Sequence, residues 1–125
     1  MCNPKSLFAV VIFGLLSGCG QHISPEGEAL LLKAENDRLT ESERLEAMQE
    51  LGRRKENATL PRIQRMLHPD LSYAHARQIF LVMGDMPDES SLPYIDSYLG
   101  GLNETPPDKL NTLINATARK CSRDR

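Results

Sequence analysis

The sequence predicts an all-α fold, a short α-hairpin solenoid of about three helix pairs. Apolar residues recur at helical spacing in six segments. Helix-start signals stand before those segments. Positions 32 residues apart match in a regular way. No stretch alternates apolar and polar residues for long enough to form a strand.

Ser24-Pro25-Glu26 opens the first helix, with Ser24 as N-cap and Pro25 at the first helical position. It is expected to run to about Arg38 and carries Ala29, Leu30, Leu31, Leu32 and Ala34. Thr40-Glu41-Ser42-Glu43 fits a capping box, in which Thr40 and Glu43 satisfy each other's free backbone N–H groups. Leu45, Ala47, Met48 and Leu51 form the stripe of the second helix, with Gly52 near its end. Thr59-Leu60-Pro61 opens the third, which presents Leu60, Ile63, Met66 and Leu67 and stops at His68-Pro69-Asp70. The fourth spans roughly Ser72 to Met83, with Ala76, Ile79, Phe80 and Met83 inward. Ser91-Leu92-Pro93 opens the fifth, with Ile95, Tyr98 and Leu99 inward and Gly100-Gly101 as its stop. Thr105-Pro106-Pro107-Asp108 opens the sixth, with Leu110, Leu113, Ile114 and Thr117.

The 32-residue offset pairs Leu51 with Met83, Gly52 with Gly84, Leu60 with Leu92, Pro61 with Pro93, Ile63 with Ile95 and Leu67 with Leu99. Each pair falls on a helix end, a helix start or an apolar face. One hairpin cannot bury its own apolar face, so a period of this size implies stacked hairpins. The pattern of Arg44, Leu51-Gly52, Leu60-Pro61, Ile63, Leu67, Asp70, Met83-Gly84 and Leu92-Pro93 resembles the short HEAT-like repeats of bacteria. The resemblance covers Thr40 to about Lys120. It implies an Asp in the inter-helix turn, matched by Asp70, and an Arg on the second helix, matched by Arg44. The next repeat departs, with Ala76 where Arg is expected. HEAT-like repeats generally bind other proteins.

Before this unit, Lys5 precedes an apolar run from Leu7 to Leu16. A positive start, a short apolar core and small residues at a cut site describe a secretory signal. The run is about half the roughly 20 residues that a membrane span needs. Leu16-Ser17-Gly18-Cys19 resembles the lipobox of bacterial lipoproteins. That resemblance implies removal of residues 1–18 as signal peptide, a diacylglycerol on the Cys19 thiol and an acylated new N-terminus. Residues 19–24 are then the lipidated Cys and a short tether, and residues 25–125 the HEAT-like α-helical repeat domain. The membrane is the first expected partner, through Cys19. In a host with two membranes Gly20 fits sorting to the periplasmic face of the outer membrane, because retention at the inner membrane usually involves Asp there. Only Cys121 then remains as a thiol, so no disulfide can form within the chain and the fold rests on an apolar core.

The full chain has a net charge of −2, which is no nucleic-acid profile. Charge alternates in blocks, about −5 over residues 21–50 and about +4 over 51–77. Residues 85–108 hold six acids and no base. Complementary bands favour self-association or the steering of a partner. Arg53, Arg54, Lys55, Arg62 and Arg65 are the candidate binding residues, a basic band suited also to anionic lipid or cell-wall polymer.

Other constellations read as structure. His68-Pro69-Asp70 is the signature tripeptide of J-domain co-chaperones, yet the residues after it do not resemble that domain, and Pro and Asp suit a turn. His68, Asp70 and His75 lack the Cys ligands usual in structural zinc sites. Glu41, Glu43, Glu46 and Glu50 read as a solvated helix face. No phosphate loop or nucleophile triad appears, so neither catalysis nor a cofactor nor a metal is expected. The function expected is a membrane-anchored, non-catalytic protein-interaction module or envelope adaptor, its protein partner unidentified. The alternative is a self-assembling or polymer-binding structural component of the envelope.

Overall fold

The computed structural model of the chain describes residues 22–122, so the signal segment, Cys19 and the last three residues lie outside the described residues. Among the described residues there are six α-helices, two 3₁₀ turns and no strand. The helices are α1 (Pro25–Glu35), α2 (Glu41–Arg54), α3 (Leu60–Gln64), α4 (Tyr73–Asp85), α5 (Leu92–Gly100) and α6 (Asp108–Ser122). The 3₁₀ turns, Asn57–Thr59 and Glu89–Ser91, lead directly into α3 and α5.

Caps set the helix starts. The Ser24 hydroxyl accepts from the Gly27 N–H at 2.9 Å, with Pro25 behind it. The capping box of α2 is complete, with the Glu43 N–H on Thr40 Oγ1 at 3.1 Å and the Thr40 N–H on Glu43 Oε1 at 2.9 Å. Ser72 caps α4 by accepting from the His75 N–H at 3.1 Å. Thr59 and Ser91, which the sequence places as helix openers, cap nothing with their side chains. Both are fully buried. The Thr59 hydroxyl turns back to donate to the Glu56 carbonyl at 2.7 Å, and Ser91 accepts from Gln64 Nε2 at 2.9 Å.

Helices α2, α4 and α6 pack side by side, and α1, α3 and α5 lie each against its long partner. The 32-residue offset aligns them. It relates the N-caps Thr40 and Ser72, both 3₁₀ turns, and the starts of α3 and α5. It also reaches back into α1, where Leu31, Ile63 and Ile95 form one buried column and Gly27, Thr59 and Ser91 a second column of small residues. The core runs through all three pairs. At its centre the Phe80 and Tyr98 rings meet edge to face, with centroids 5.3 Å apart at 75°. Cys121 is a free, buried thiol.

The repeated glycines have different roles. A Cβ on Gly52 would press on Val82 Cγ2 at 3.1 Å and Asp85 Oδ2 at 3.0 Å, so α2 and α4 touch closely there. A Cβ on Gly84 would meet only Lys120 and Thr117 atoms at 3.6–3.8 Å, an ordinary contact. Gly101, beyond α5, lies against Pro69 of the α3–α4 turn, and a Cβ there would overlap the proline ring. Gly84→Ala is therefore expected to stabilise by about 0.5–1 kcal/mol through helix propensity. Gly101→Ala is expected to destabilise by about 1–3 kcal/mol through overpacking. Urea midpoints of the two variants should move in opposite directions.

Three sequence expectations need correction. Helix α1 stops at Glu35 rather than near Arg38, because Asn36 leaves the helix and its side chain accepts from the Arg38 N–H at 3.0 Å. Helix α3 ends at Gln64, and the chain tightens through Met66 N–H to Ile63 O at 3.0 Å and Leu67 N–H to Gln64 O at 3.2 Å. Pro69 disfavours helical geometry at His68, which sets the outer limit of any helix here at Leu67. Leu99 is exposed. Its counterpart Leu67 packs against the core, whereas Leu99 belongs to the last pair and no further pair follows it among the described residues.

Polar ties join neighbouring pairs. Arg62 of α3 reaches two carboxylates of α1, with Nη1 2.9 Å from both Glu28 oxygens and Nη2 2.7 Å from Glu35 Oε1. Its guanidinium is held charged more firmly than usual by Glu35 first and Glu28 second. Gln64 donates to Ser90 and Ser91 at 2.9 Å each, and the Thr117 hydroxyl donates to the Phe80 carbonyl at 3.3 Å. Arg44 and Asp70 form no ion pair with each other. The polar tie between the first two pairs is made instead by Arg62 and its two glutamates.

Candidate functional site: a groove between the first two helix pairs

An open groove of about 460 Å³ lies where the first and second pairs meet. Glu35 and Asp37 come from the end of α1 and its loop, and Arg44 from α2. Arg62, Arg65 and His68 come from α3 and the turn after it, and His75 from α4. Ala34, Met66 and Leu71 supply apolar wall.

The geometry follows from the stacking. Arg44 precedes Met48 and Leu51 by one and two turns, so it lies on the stripe that packs inward. His75 stands likewise one and two turns before Ile79 and Val82 on α4. Helices α2 and α4 thus each bring a basic side chain to the mouth of the core.

Two of these side chains bear on the chemistry of the groove. The Arg44 Nε is fully buried and has no hydrogen-bond partner. Such groups are rare, and an unsatisfied buried donor costs about 1–3 kcal/mol. The His75 residue is only 5% exposed. Its backbone N–H goes to Ser72, and its ring lines the groove with no protein hydrogen bond. Burial, and then the Arg44 charge, push the imidazole below its ordinary range, with Glu41 opposing. Arg65 and His68 are exposed.

His75 makes stability pH-dependent. Its folded pKa lies below the unfolded 6.5, so between these two values the unfolded chain binds more protons. Stability is therefore full above about pH 6.5 and falls as pH drops toward the folded value. Denaturation from pH 7.5 to 5 should show this decline, and His75→Gln should flatten it. An unchanged slope in that variant would exclude His75 as its source.

The five residues of the basic band have different surroundings. Arg53 pairs with Glu50 on exposed α2. Arg54 donates to Ser24 Oγ at 3.2 Å and lies 3.9 Å from Glu56. Lys55 closes α2 in the left-handed conformation, at φ 50°. Only Arg62 and Arg65 of the five line the groove, and Arg62 is engaged with Glu28 and Glu35. Cys19 lies outside the described residues. In the sequence Arg44 stands out as part of the repeat pattern, and His75 only as a member of a rejected metal cluster. Their common signal is a basic residue in register with an apolar stripe. Among the described residues, no group of three or more His, Cys, Asp or Glu is placed to hold a metal ion. No described helix is long and apolar enough to cross a membrane.

A second feature fixes the N-terminal edge. The Ser24 N–H donates to Glu56 Oε2 at 2.6 Å and the Ser24 hydroxyl to Glu56 Oε1 at 2.8 Å. These two bonds hold the Glu56 carboxyl below its usual range. The first turn of α1 is thereby clipped to the start of the second pair.

Comparison with protein-family models, with curated proteins and with solved structures finds no match to this chain.

Proposed function

We propose that this chain is a membrane-anchored, non-catalytic protein-interaction module, an envelope adaptor lipoprotein built as a short HEAT-like solenoid. The observation that carries the reading is the clip at Ser24. The clip stands five positions after the Cys19 of the lipobox-like stretch. An extended tether of that length reaches roughly 17 Å at about 3.4 Å per residue. An acylated Cys19 would hold the stack against the membrane surface, with its groove available to a neighbour. At the periplasmic face of an outer membrane, the site suggested by Gly20, that neighbour would be another envelope protein.

The pairing of charges favours this reading over attachment to anionic polymer. Arg53, Arg54 and Arg62 already face Glu50, Glu56, Glu28 and Glu35 within the chain. A polymer-binding surface needs a row of free cations.

The test is an affinity pull-down from the native envelope, comparing the full chain with Cys19→Ala. One protein captured by the first and lost from the second supports a membrane-tethered adaptor. Recovery of the chain alone, or of cell-wall polymer, refutes it and favours the structural alternative.

A further inference from the structure

We propose that the groove between the first two pairs binds an acidic segment of a partner protein, seating one Asp or Glu carboxylate against Arg44, Arg65 and His75. The inference names the docking site for the adaptor reading and rests on that reading only for the partner's biological setting.

Four observations converge on a carboxylate. Arg44 has a buried Nε with no acceptor. His75 is more than nine-tenths buried, lines the groove, and has no hydrogen bond on its ring. A ring held neutral still carries one N–H donor. Arg65 is an exposed cation at the same groove with no ion pair. Arg62 is taken up by Glu28 and Glu35, which leaves Arg44 and Arg65 with Asp37 as the other charged groups of the lining. After a small swing of the Arg44 side chain, one incoming carboxylate supplies the missing acceptor.

The same lining selects among anions. A nucleic acid, an anionic polymer or a charged lipid surface would bring rows of negative charge against Glu35 and Asp37. A single carboxylate avoids them. Met66 and Leu71 offer apolar contact beside the basic groups, which suits a Leu or similar residue next to the acidic one. The ligand chemistry is therefore an acidic residue flanked by apolar ones in an extended protein segment.

The test is fluorescence anisotropy with the full chain in detergent. The probe is a labelled nine-residue peptide, one Glu between two Leu in a Gly/Ser background, beside its Gln counterpart. The Glu peptide is expected to bind at least tenfold more tightly than the Gln peptide. Arg44→Met is expected to weaken binding at least tenfold while leaving the fold intact, since it removes an unpartnered donor. Arg65→Gln, at an exposed site where folding is not in question, is expected to weaken it at least threefold. Arg53→Gln should change nothing. Equal binding of both peptides, no binding at millimolar peptide, or insensitivity to both groove variants overturns the proposal. So does competition by inorganic phosphate stronger than by unlabelled Glu peptide. Cys19→Ala should bind the peptide as the parent chain does. Loss of anchoring therefore leaves this result standing, and loss of peptide binding leaves Cys19-dependent capture intact, so the two readings fail separately.

Discussion

Replacing Phe80 with Ala is expected to cost about 3–5 kcal/mol, in the range for truncating a buried aromatic residue. Phe80 is fully buried on α4, the middle long helix. Its ring meets Tyr98 of the third pair, and its carbonyl accepts from Thr117 of α6. Truncation leaves a cavity where α4, α5 and α6 meet. Small domains are held by about 5–15 kcal/mol, so the variant should lose a large share of its stability. Urea unfolding followed by circular dichroism gives the number. A loss below 1 kcal/mol would mean that the third pair does not rest on Phe80.

The second large effect concerns the column of Leu31, Ile63 and Ile95. Each is buried at the same place in successive pairs, and each Ala substitution is expected to cost about 2–5 kcal/mol. The three should not be equal. A stack held by nearest-neighbour contacts gives its middle unit two interfaces and its end units one. Ile63→Ala should therefore exceed Leu31→Ala and Ile95→Ala. All three variants should unfold in a single transition. A largest loss at Leu31, or a biphasic curve for Ile63→Ala, would show that the pairs do not act as one cooperative unit.

The helices were legible because their signals are local. Ser24-Pro25, the Thr40–Glu43 box and the Pro61/Pro93 repeat depend on residues a few positions apart, and all mark real helix starts or first turns. The repeat was legible in the glycines and the apolar faces. Its small-residue column, Gly27, Thr59 and Ser91, was hidden because Thr and Ser before a helix normally cap it. Here they fill tight space inside the stack.

The groove was less legible because it draws on segments far apart in the chain. Asp37, Arg44, Arg65 and His75 meet only after the first two pairs have stacked. Charge counting found the basic residues of segment 51–77 but not their partners. Arg62 looked free in the sequence and is bound on both sides by glutamates of α1. Arg44 looked like an ordinary repeat position, yet its Nε is a buried donor left unpaired. Pairing, set by tertiary contact, separates the cations that hold the stack together from those left to a ligand.

Mass spectrometry of the mature protein from its native host tests the membrane-tethered reading most directly. That reading predicts an N-terminus at Cys19, a mass increased by diacylglycerol and an amide-linked acyl chain, and loss of both in Cys19→Ala. An unmodified N-terminus, or a chain that retains residues 1–18, would contradict it.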